Sequence, residues 1–184
     1  IFGGVNTLWD RRYGFMNKAL TSPISRSAIA LGKMSAISLI AALQASLIIG
    51  IALAIGVTFP NPLMIIPIMG IVILFSLGFS GISVTLAATA KSQETFWGMI
   101  NLLGMPLFML SPALFPLELL PNWLAVIAKL NPVTYTVLLV RELMTGVSEG
   151  GIPILISIGV IFAFVIAMVA ITSYVFTREV NKPF

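Results

Sequence analysis

The chain has 184 residues, of which 59% are apolar and only 9% charged, and its formal net charge is +4. Soluble domains carry about 25% charged residues, so this composition is that of an integral membrane protein, and the excess positive charge is first a signal of topology, with no nucleic-acid partner expected. Cysteine and histidine are absent, which excludes disulfides, a thiol nucleophile and a histidine base, so we predict no catalytic residue and no metal site.

The chain opens with a short basic segment. Its first ten residues have the pattern of the end of an apolar segment that runs into a basic loop, so we expect membrane spans to precede them in the intact protein. Half of the ten basic residues then fall between positions 9 and 33, at Arg11, Arg12, Lys18, Arg26 and Lys33.

Residues 5–22 have the periodicity of an amphipathic helix. One face is apolar and aromatic, and it carries Val5, Trp9, Tyr13, Met16 and Leu20, flanked by Leu8 and Phe15. Two functions fit this pattern. The helix lies on the anionic inner leaflet with its basic residues at the lipid headgroups, or it inserts Trp9, Tyr13 and Phe15 into the groove of a partner protein.

Four long apolar runs follow, at 34–57, 63–90, 95–115 and 152–176. The first run would form a helix of about 36 Å at 1.5 Å per residue, enough to cross a hydrocarbon core of about 30 Å with some tilt. Pro106 predicts a kink in the third run, because proline removes a backbone hydrogen bond. We therefore predict an all-α, multi-pass membrane protein with four transmembrane helices in one domain over 1–184.

The distribution of basic residues predicts the orientation. The loop up to Lys33, the loop around Lys91 and the C-terminal tail alternate correctly with four spans to lie on one side, and together they hold eight of the ten basic residues. The positive-inside rule makes that side cytoplasmic. Both ends of this chain are thus expected to face the cytoplasm, in a cell (inner or plasma) membrane.

The stretch 117–146 predicts two short helices on the other side. Pro121 lies at the start of the first, which runs to about Leu130. Asn131 as N-cap and Pro132 as first residue begin the second, which ends near Gly146. Both are too short to span, so they lie in the outer leaflet or dip into it as a re-entrant pair.

Polar residues inside the predicted spans are few, and no ionisable residue lies deep in any of them. Proton relays and ion pumps normally carry such residues, so the pattern favours an apolar or amphipathic cargo. Gln44, Asn101 and Met105 are candidates for a transport path. Hydrogen bonding between helices explains the two amides equally well, and filling of the core explains the methionine. The charged pair Arg141 and Glu142 fits either a solvated rim or an exit.

Two sequence blocks resemble the type-2 ABC exporter permeases. In that family an acid-Arg-x-x-Gly-[Phe/Thr] coupling helix precedes a Ser-Pro turn, and the matching positions here are Asp10, Arg11, Gly14, Phe15, Ser22, Pro23, Ile24, Ser25 and Arg26. The block between the last two spans is also similar, at Phe115, Pro116, Pro121, Trp123, Asn131, Pro132, Tyr135 and Arg141. The family typically has six spans, so the first two are missing from this chain.

The resemblance implies a mechanism in which two permease subunits, identical or different, pair with two ATP-hydrolysing subunits. The coupling helix would contact the ATPase through Trp9, Asp10, Arg11, Arg12, Tyr13, Gly14, Phe15 and Lys18. ATP and Mg²⁺ would bind to the ATPase, and this chain would bind no cofactor. Independently, the sequence has no Gly-x-x-x-x-Gly-Lys-[Ser/Thr] phosphate loop.

The leading hypothesis is therefore a permease subunit that exports a hydrophobic or lipid-linked cargo and is not itself an enzyme. The alternative is a non-transporting membrane anchor or assembly protein whose basic helix only binds the lipids of the inner leaflet. An intramembrane enzyme would need Ser–Lys chemistry, but Lys91 lies in a predicted loop.

Overall fold

The computed structural model describes residues 2–15, 21–57, 61–114, 116–148 and 150–179. Within these ranges the chain is helical and contains no strand, so the all-α prediction is confirmed. The described α-helices are α1 (Val5–Arg12), α2 (Arg26–Ala54), α3 (Ile65–Thr89), α4 (Gln93–Met109), α5 (Asn122–Leu130), α6 (Pro132–Thr145) and α7 (Ile154–Glu179). Short 3-10 turns lie at Phe2–Gly4, Pro62–Met64 and Leu117–Leu119.

Three of these helices, α2, α3 and α7, are long and apolar enough to cross a membrane. The pair α5 and α6 would add a fourth span if it were counted as one helix, but it bends by 89° at Asn131. Helix α4 has 17 residues and contains Pro106, so it is about 25 Å long at 1.5 Å per residue. The predicted span over 95–115 is thus represented by a shorter helix, and its crossing of the membrane stays a prediction.

Helix bounds differ from the predictions where polar residues extend or end a helix. Helix α2 begins at Arg26, before the uncharged run that starts at residue 34. Within the predicted helix over 5–22, α1 ends at Arg12, and residues 16–20 lie outside the described part of the chain. Gly14 has a φ of +74°, the left-handed conformation that commonly ends helices and that glycine adopts without strain.

The described chain forms two compact units. The first consists of residues 1–39, 76–104 and 165–184 and has a core of Ala30, Met34, Val84, Ala88 and Phe176. In this core α2, α3 and α7 meet through small and hydroxyl side chains, as is typical of helices that associate in membranes.

Hydroxyl groups join α3 to its two neighbours in this first unit. The Thr172 Oγ1 hydroxyl donates to the carbonyl of Gly81 at 3.0 Å and lies 3.0 Å from the Thr85 hydroxyl. The Ser80 hydroxyl lies 3.3 Å from the Met34 carbonyl of α2. These contacts satisfy polar groups that would otherwise be buried without a partner.

The second unit consists of residues 40–75 and 105–164. Leu117, Ala128 and Leu138 form its small core and hold α5 against α6. An open apolar cleft of about 430 Å³ lies between α3, α6 and α7. Its lining is entirely apolar: Pro67, Gly70, Ile71, Leu74, Leu139, Leu143, Ile154, Ile158, Ile161 and Phe162.

The close approach of α3 and α7 predicts the effect of a methyl group at Gly81. A Cβ atom there would lie 2.8 Å from Thr172 Oγ1 and 3.2 Å from the Met168 Cβ, and Thr172 cannot retreat without losing its hydrogen bonds. We expect Gly81→Ala to destabilise the protein by about 1–3 kcal/mol, measured as a lower midpoint of thermal unfolding in detergent. Gly98→Ala is the matched control, because open space surrounds that position. An equal effect of both substitutions would contradict this packing.

Candidate functional site

The candidate site is the surface formed by α1 and the turn between α3 and α4. Helix α1 packs through a narrow face whose side chains Thr7 and Leu8 are only 1% and 2% exposed. Leu8 lies in a cluster with Ala87, Ala90, Phe96 and Ile100, which come from the end of α3 and the start of α4. Helix α1 is therefore embedded in the first unit along one side, and does not merely lie on a lipid surface.

Glycine permits this close packing at the start of α1. A Cβ atom on Gly4 would lie 2.5 Å from the carbonyl oxygen of Ser83, a backbone atom inside α3. A Cβ atom on Gly3 would meet the side chain of Ile37 at 2.8 Å. The paired glycines thus let the chain approach α2 and α3 more closely than any other residues would.

Arg11 joins α1 to the end of α3. Its Nη1 atom donates to the carbonyl oxygens of Ala87 and Ala88, at 3.0 Å and 2.5 Å. These carbonyls belong to the last turn of α3, where the helix itself offers no donor. Burial lowers the pKa of Arg11, and the nearby Glu179 carboxylate opposes that shift. The guanidinium stays charged under all ordinary conditions, because arginine is not deprotonated in proteins.

Two further charges of α1 have partners on neighbouring helices. Asp10 forms an ion pair with Lys33 of α2. The pKa of Glu94, at the start of α4, is lowered mainly by hydrogen bonds from its own backbone N–H and from Ser92. The positive charge of Arg12 lowers this pKa further.

The aromatic residues lie on the exposed side of α1, which we call its outer side, and just after the end of the helix. Trp9, Tyr13 and Phe15 are 43%, 71% and 64% exposed. Beside them a cleft of about 380 Å³ opens between α1 and the α3–α4 turn, and it is lined by Leu8, Trp9, Arg11, Arg12, Lys91, Ser92, Gln93 and Glu94. Aromatic residues next to a charged cleft are typical of a protein interface. Lys18, also predicted to face a partner, lies outside the described residues.

The exposed face of α1 was predicted from the sequence, but its buried face was not. The buried face consists of Gly4, Thr7, Leu8 and the partly buried Arg11, which follow one another at helical spacing. Three of these four residues are small or charged, so a search for apolar periodicity passes over them. A repeat of small residues at helical spacing would have been the better indicator.

The block that resembles the family's segment between its last two spans lies mostly in α5 and α6 of the second unit. The hydrogen bonds described next join its side chains to backbone atoms of the same chain. Asn131 accepts a hydrogen bond from the N–H of Val133 at 3.0 Å and donates through Nδ2 to the carbonyl of Leu107 at 2.6 Å. It therefore caps α6 and satisfies the end of α4 at the same time. Pro132 follows as the first residue of α6, the predicted position.

Two more residues of this region bind the backbone. The Tyr135 hydroxyl donates to the Lys129 carbonyl at 2.7 Å, and the Arg141 guanidinium donates to the Pro112 carbonyl at 3.0 Å. Arg141 is therefore partly buried against the loop that follows α4. Trp123 is exposed, and Pro121 precedes α5 as its N-cap.

The predicted transport-path residues Gln44, Asn101 and Met105 are all exposed on their helices, and none of them lines either of the two clefts described above. The larger apolar cleft is lined instead by residues that the sequence analysis did not select. Its residues are ordinary aliphatic ones of predicted spans, so no local pattern distinguishes them from core positions.

Comparison with known proteins yields a consistent result. A sequence-family model described as ABC-2 type transporter matches residues 1–145. The "Putative transport permease ycf38" of Cyanophora paradoxa is 31% identical over 137 residues, which are 74% of this chain and 47% of that protein. The protein of the same description from Pyropia yezoensis is 31% identical over 148 residues, 79% of this chain and 50% of its own length. The chain thus spans about half the length of these relatives. No solved structure matches.

The contact of Gly4 with α3 predicts how α1 can be released. A larger residue at position 4 must displace the backbone of Ser83 or of α1 itself, at a cost of about 1–3 kcal/mol. We expect Gly4→Leu to expose Thr7, so that a Thr7→Cys variant reacts about tenfold faster with a maleimide, since 1.4 kcal/mol is a factor of ten. The chain lacks other cysteines. Gly32→Leu is the control, because nothing surrounds that position, and equal rates in both variants would argue against the docking.

Proposed function

Because the chain belongs to the ABC-2 type transporter family, we propose that it is the membrane-spanning permease subunit of an exporter driven by ATP hydrolysis on a separate subunit. The relatives in Cyanophora paradoxa and Pyropia yezoensis carry the description "Putative transport permease". The chain itself is a transporter subunit and not an enzyme. ATP and Mg²⁺ bind to the partner, because the printed sequence contains no phosphate-binding loop.

The observation that carries this proposal is the two-sided character of α1. Its inner side is buried against α3 and α4, and Arg11 is bonded to the backbone of α3. Its outer side exposes Trp9 beside a charged cleft, and Tyr13 and Phe15 are exposed just after the end of the helix. A helix that only anchors the chain to lipid has no need of the inner contacts. A helix that couples a partner to the spans needs both sides.

The partner that binds the exposed side of α1 is an ABC ATPase subunit. The aromatic residues supply the large, rigid contacts that dominate interface energies. Arg12, Lys91 and Glu94 line the cleft and supply charges of both signs, which steer and orient a partner more than they add affinity. A second permease subunit, identical or different, completes the transporter.

The cargo is hydrophobic or lipid-linked. Helix α3 contains no Asp, Glu, Lys or Arg, and α7 contains none of these before Arg178. The cleft of the second unit is lined only by apolar side chains. A path for ions or protons would place charged groups in such helices in spite of their cost, so these surfaces favour an apolar or amphipathic molecule.

The topology follows from the positions of the basic residues. We place the protein in the cell (inner or plasma) membrane, with both ends of this chain in the cytoplasm and α5 and α6 on the outer side. Arg11, Arg12, Arg26, Lys33 and Lys91 then share the side on which positive charge accumulates in membrane proteins.

Charged substitutions on the outer side of α1 test the proposed partner. We expect the double variant Tyr13→Asp, Phe15→Asp to lose about 30-fold or more in affinity for the ATPase subunit, because truncating two aromatic anchors costs about 2 kcal/mol or more. Co-purification and titration of the detergent-solubilised complex measure this. The control is Trp123→Asp, which places the same charge on an exposed aromatic residue of α5.

The result separates the two hypotheses for the chain. Full association of the double variant, with a fold as stable as the wild type's, would show that this surface is not the docking site. Failure of the wild type to bind any ABC ATPase subunit would favour the membrane anchor.

Cysteine labelling tests the topology in a chain that has no native cysteine. We expect Lys91→Cys to be protected in intact cells from a membrane-impermeant maleimide and to react only after the cells are opened. Asn122→Cys should react in intact cells, because it lies at the start of α5. Labelling of position 91 from outside would reverse the proposed orientation.

A further inference from the structure

We propose that Arg11 is the positioning residue that makes α1 and the last turn of α3 move as one body, so that a displacement of α1 passes into a membrane-spanning helix. This inference rests on the proposed function, because it needs a partner that displaces α1. It goes beyond that function by assigning the transmission to one side chain and two carbonyl groups.

The chemistry of the end of α3 favours such a contact. The carbonyls of Ala87 and Ala88 lie at the C-terminal end of the helix, where the chain turns at Lys91 and no further turn of α3 supplies N–H donors. The end of a helix also carries a partial negative charge, which favours a cation. Arg11 supplies both the donor and the charge from a helix that is 76 residues away in sequence.

The acceptors make this contact stiffer than an ordinary ion pair. Ala87 and Ala88 accept through main-chain atoms, so no rotatable side chain lies between the hydrogen bonds and the axis of α3. The contact is also partly buried, which strengthens it relative to one in water. The Asp10–Lys33 pair, in contrast, joins α1 to α2 through two flexible side chains, with Asp10 40% exposed, so it yields more easily.

The other contacts of α1 at this end of α3 are apolar. Leu8 lies in a cluster with Ala87 and Ala90, together with Phe96 and Ile100 of α4. Apolar contacts resist separation but are not directional. The two hydrogen bonds of Arg11 fix the register of α1 along α3, and this is the property that transmission of a displacement requires.

Spin labels measure this linkage directly. Asn6 on α1 and Thr89 on α3 are exposed, and the Thr89 hydroxyl bonds only to carbonyls of its own helix in its described contacts. Labels at Asn6→Cys and Thr89→Cys in the full-length permease, assembled with its ATPase subunit, report the α1–α3 distance. Electron paramagnetic resonance compares the nucleotide-free complex with one trapped by MgATP and vanadate.

We expect the same narrow distance distribution in both nucleotide states of the wild type. In Arg11→Gln the distribution broadens, and its mean differs between the two states. Arg11→Lys gives an intermediate distribution, because an ammonium keeps a donor and a charge but reaches one bond less far. Arg178→Gln is the matched control, since that arginine stacks on Tyr174 of its own helix, and it leaves the distances unchanged.

The outcomes separate this inference from the function on which it rests. If the wild type neither binds nor activates an ATPase subunit, the proposed function fails. If the wild type does both and Arg11→Gln keeps the native distance in both states, the inference about Arg11 is overturned and the function stands. Should Arg11→Gln not assemble, Arg11→Lys decides: a broadened distribution in a complex that hydrolyses ATP supports the inference, and the native distribution overturns it.

Discussion

The need to satisfy backbone carbonyls at the ends of apolar helices organises both units of this structure. In a low-dielectric environment an unpaired carbonyl costs several kcal/mol, and the last turn of a helix cannot satisfy its own. Arg11 serves the end of α3, and Arg26 lies 3.3 Å from the carbonyl of Thr177 near the end of α7. Asn131 serves the end of α4, and Arg141 the loop that follows it. Several of the few polar side chains of this chain therefore bind its own backbone.

Because of this constraint, the basic residues between positions 9 and 33 have a second role. A cluster of positive charge next to apolar runs is read as a marker of the cytoplasmic side. Here three of its members, Arg11, Arg26 and Lys33, bind groups of the same chain. The two roles are compatible, because the C-terminal ends of α3 and α7 carry partial negative charge and attract cations. Arg12, which lines the cleft with Lys91, is the member best placed for an outside partner.

The sequence predicted the elements whose identity depends on local composition. Long apolar runs gave α2, α3 and α7, and the Asn131-Pro132 pair gave the start of α6 to the residue, because capping is a local interaction. The buried face of α1 could not be predicted in this way. What it contacts is the backbone of α3, some eighty residues further along the chain, and close approach selects small residues where apolar periodicity looks for large ones.

The predicted path residues show the same limit from the other side. Gln44 is exposed on α2 among the exposed apolar residues Ile40, Leu47 and Ile48, and Asn101 is exposed on α4 beside Leu102. An amide that faces hydrocarbon without a partner costs about 1–3 kcal/mol, so such positions are unfavourable on a surface that meets only lipid. In a permease built from paired subunits these faces would meet another helix or a hydrated passage. The two amides therefore mark faces of α2 and α4 at which a further polar partner would lower the free energy of the protein in the membrane.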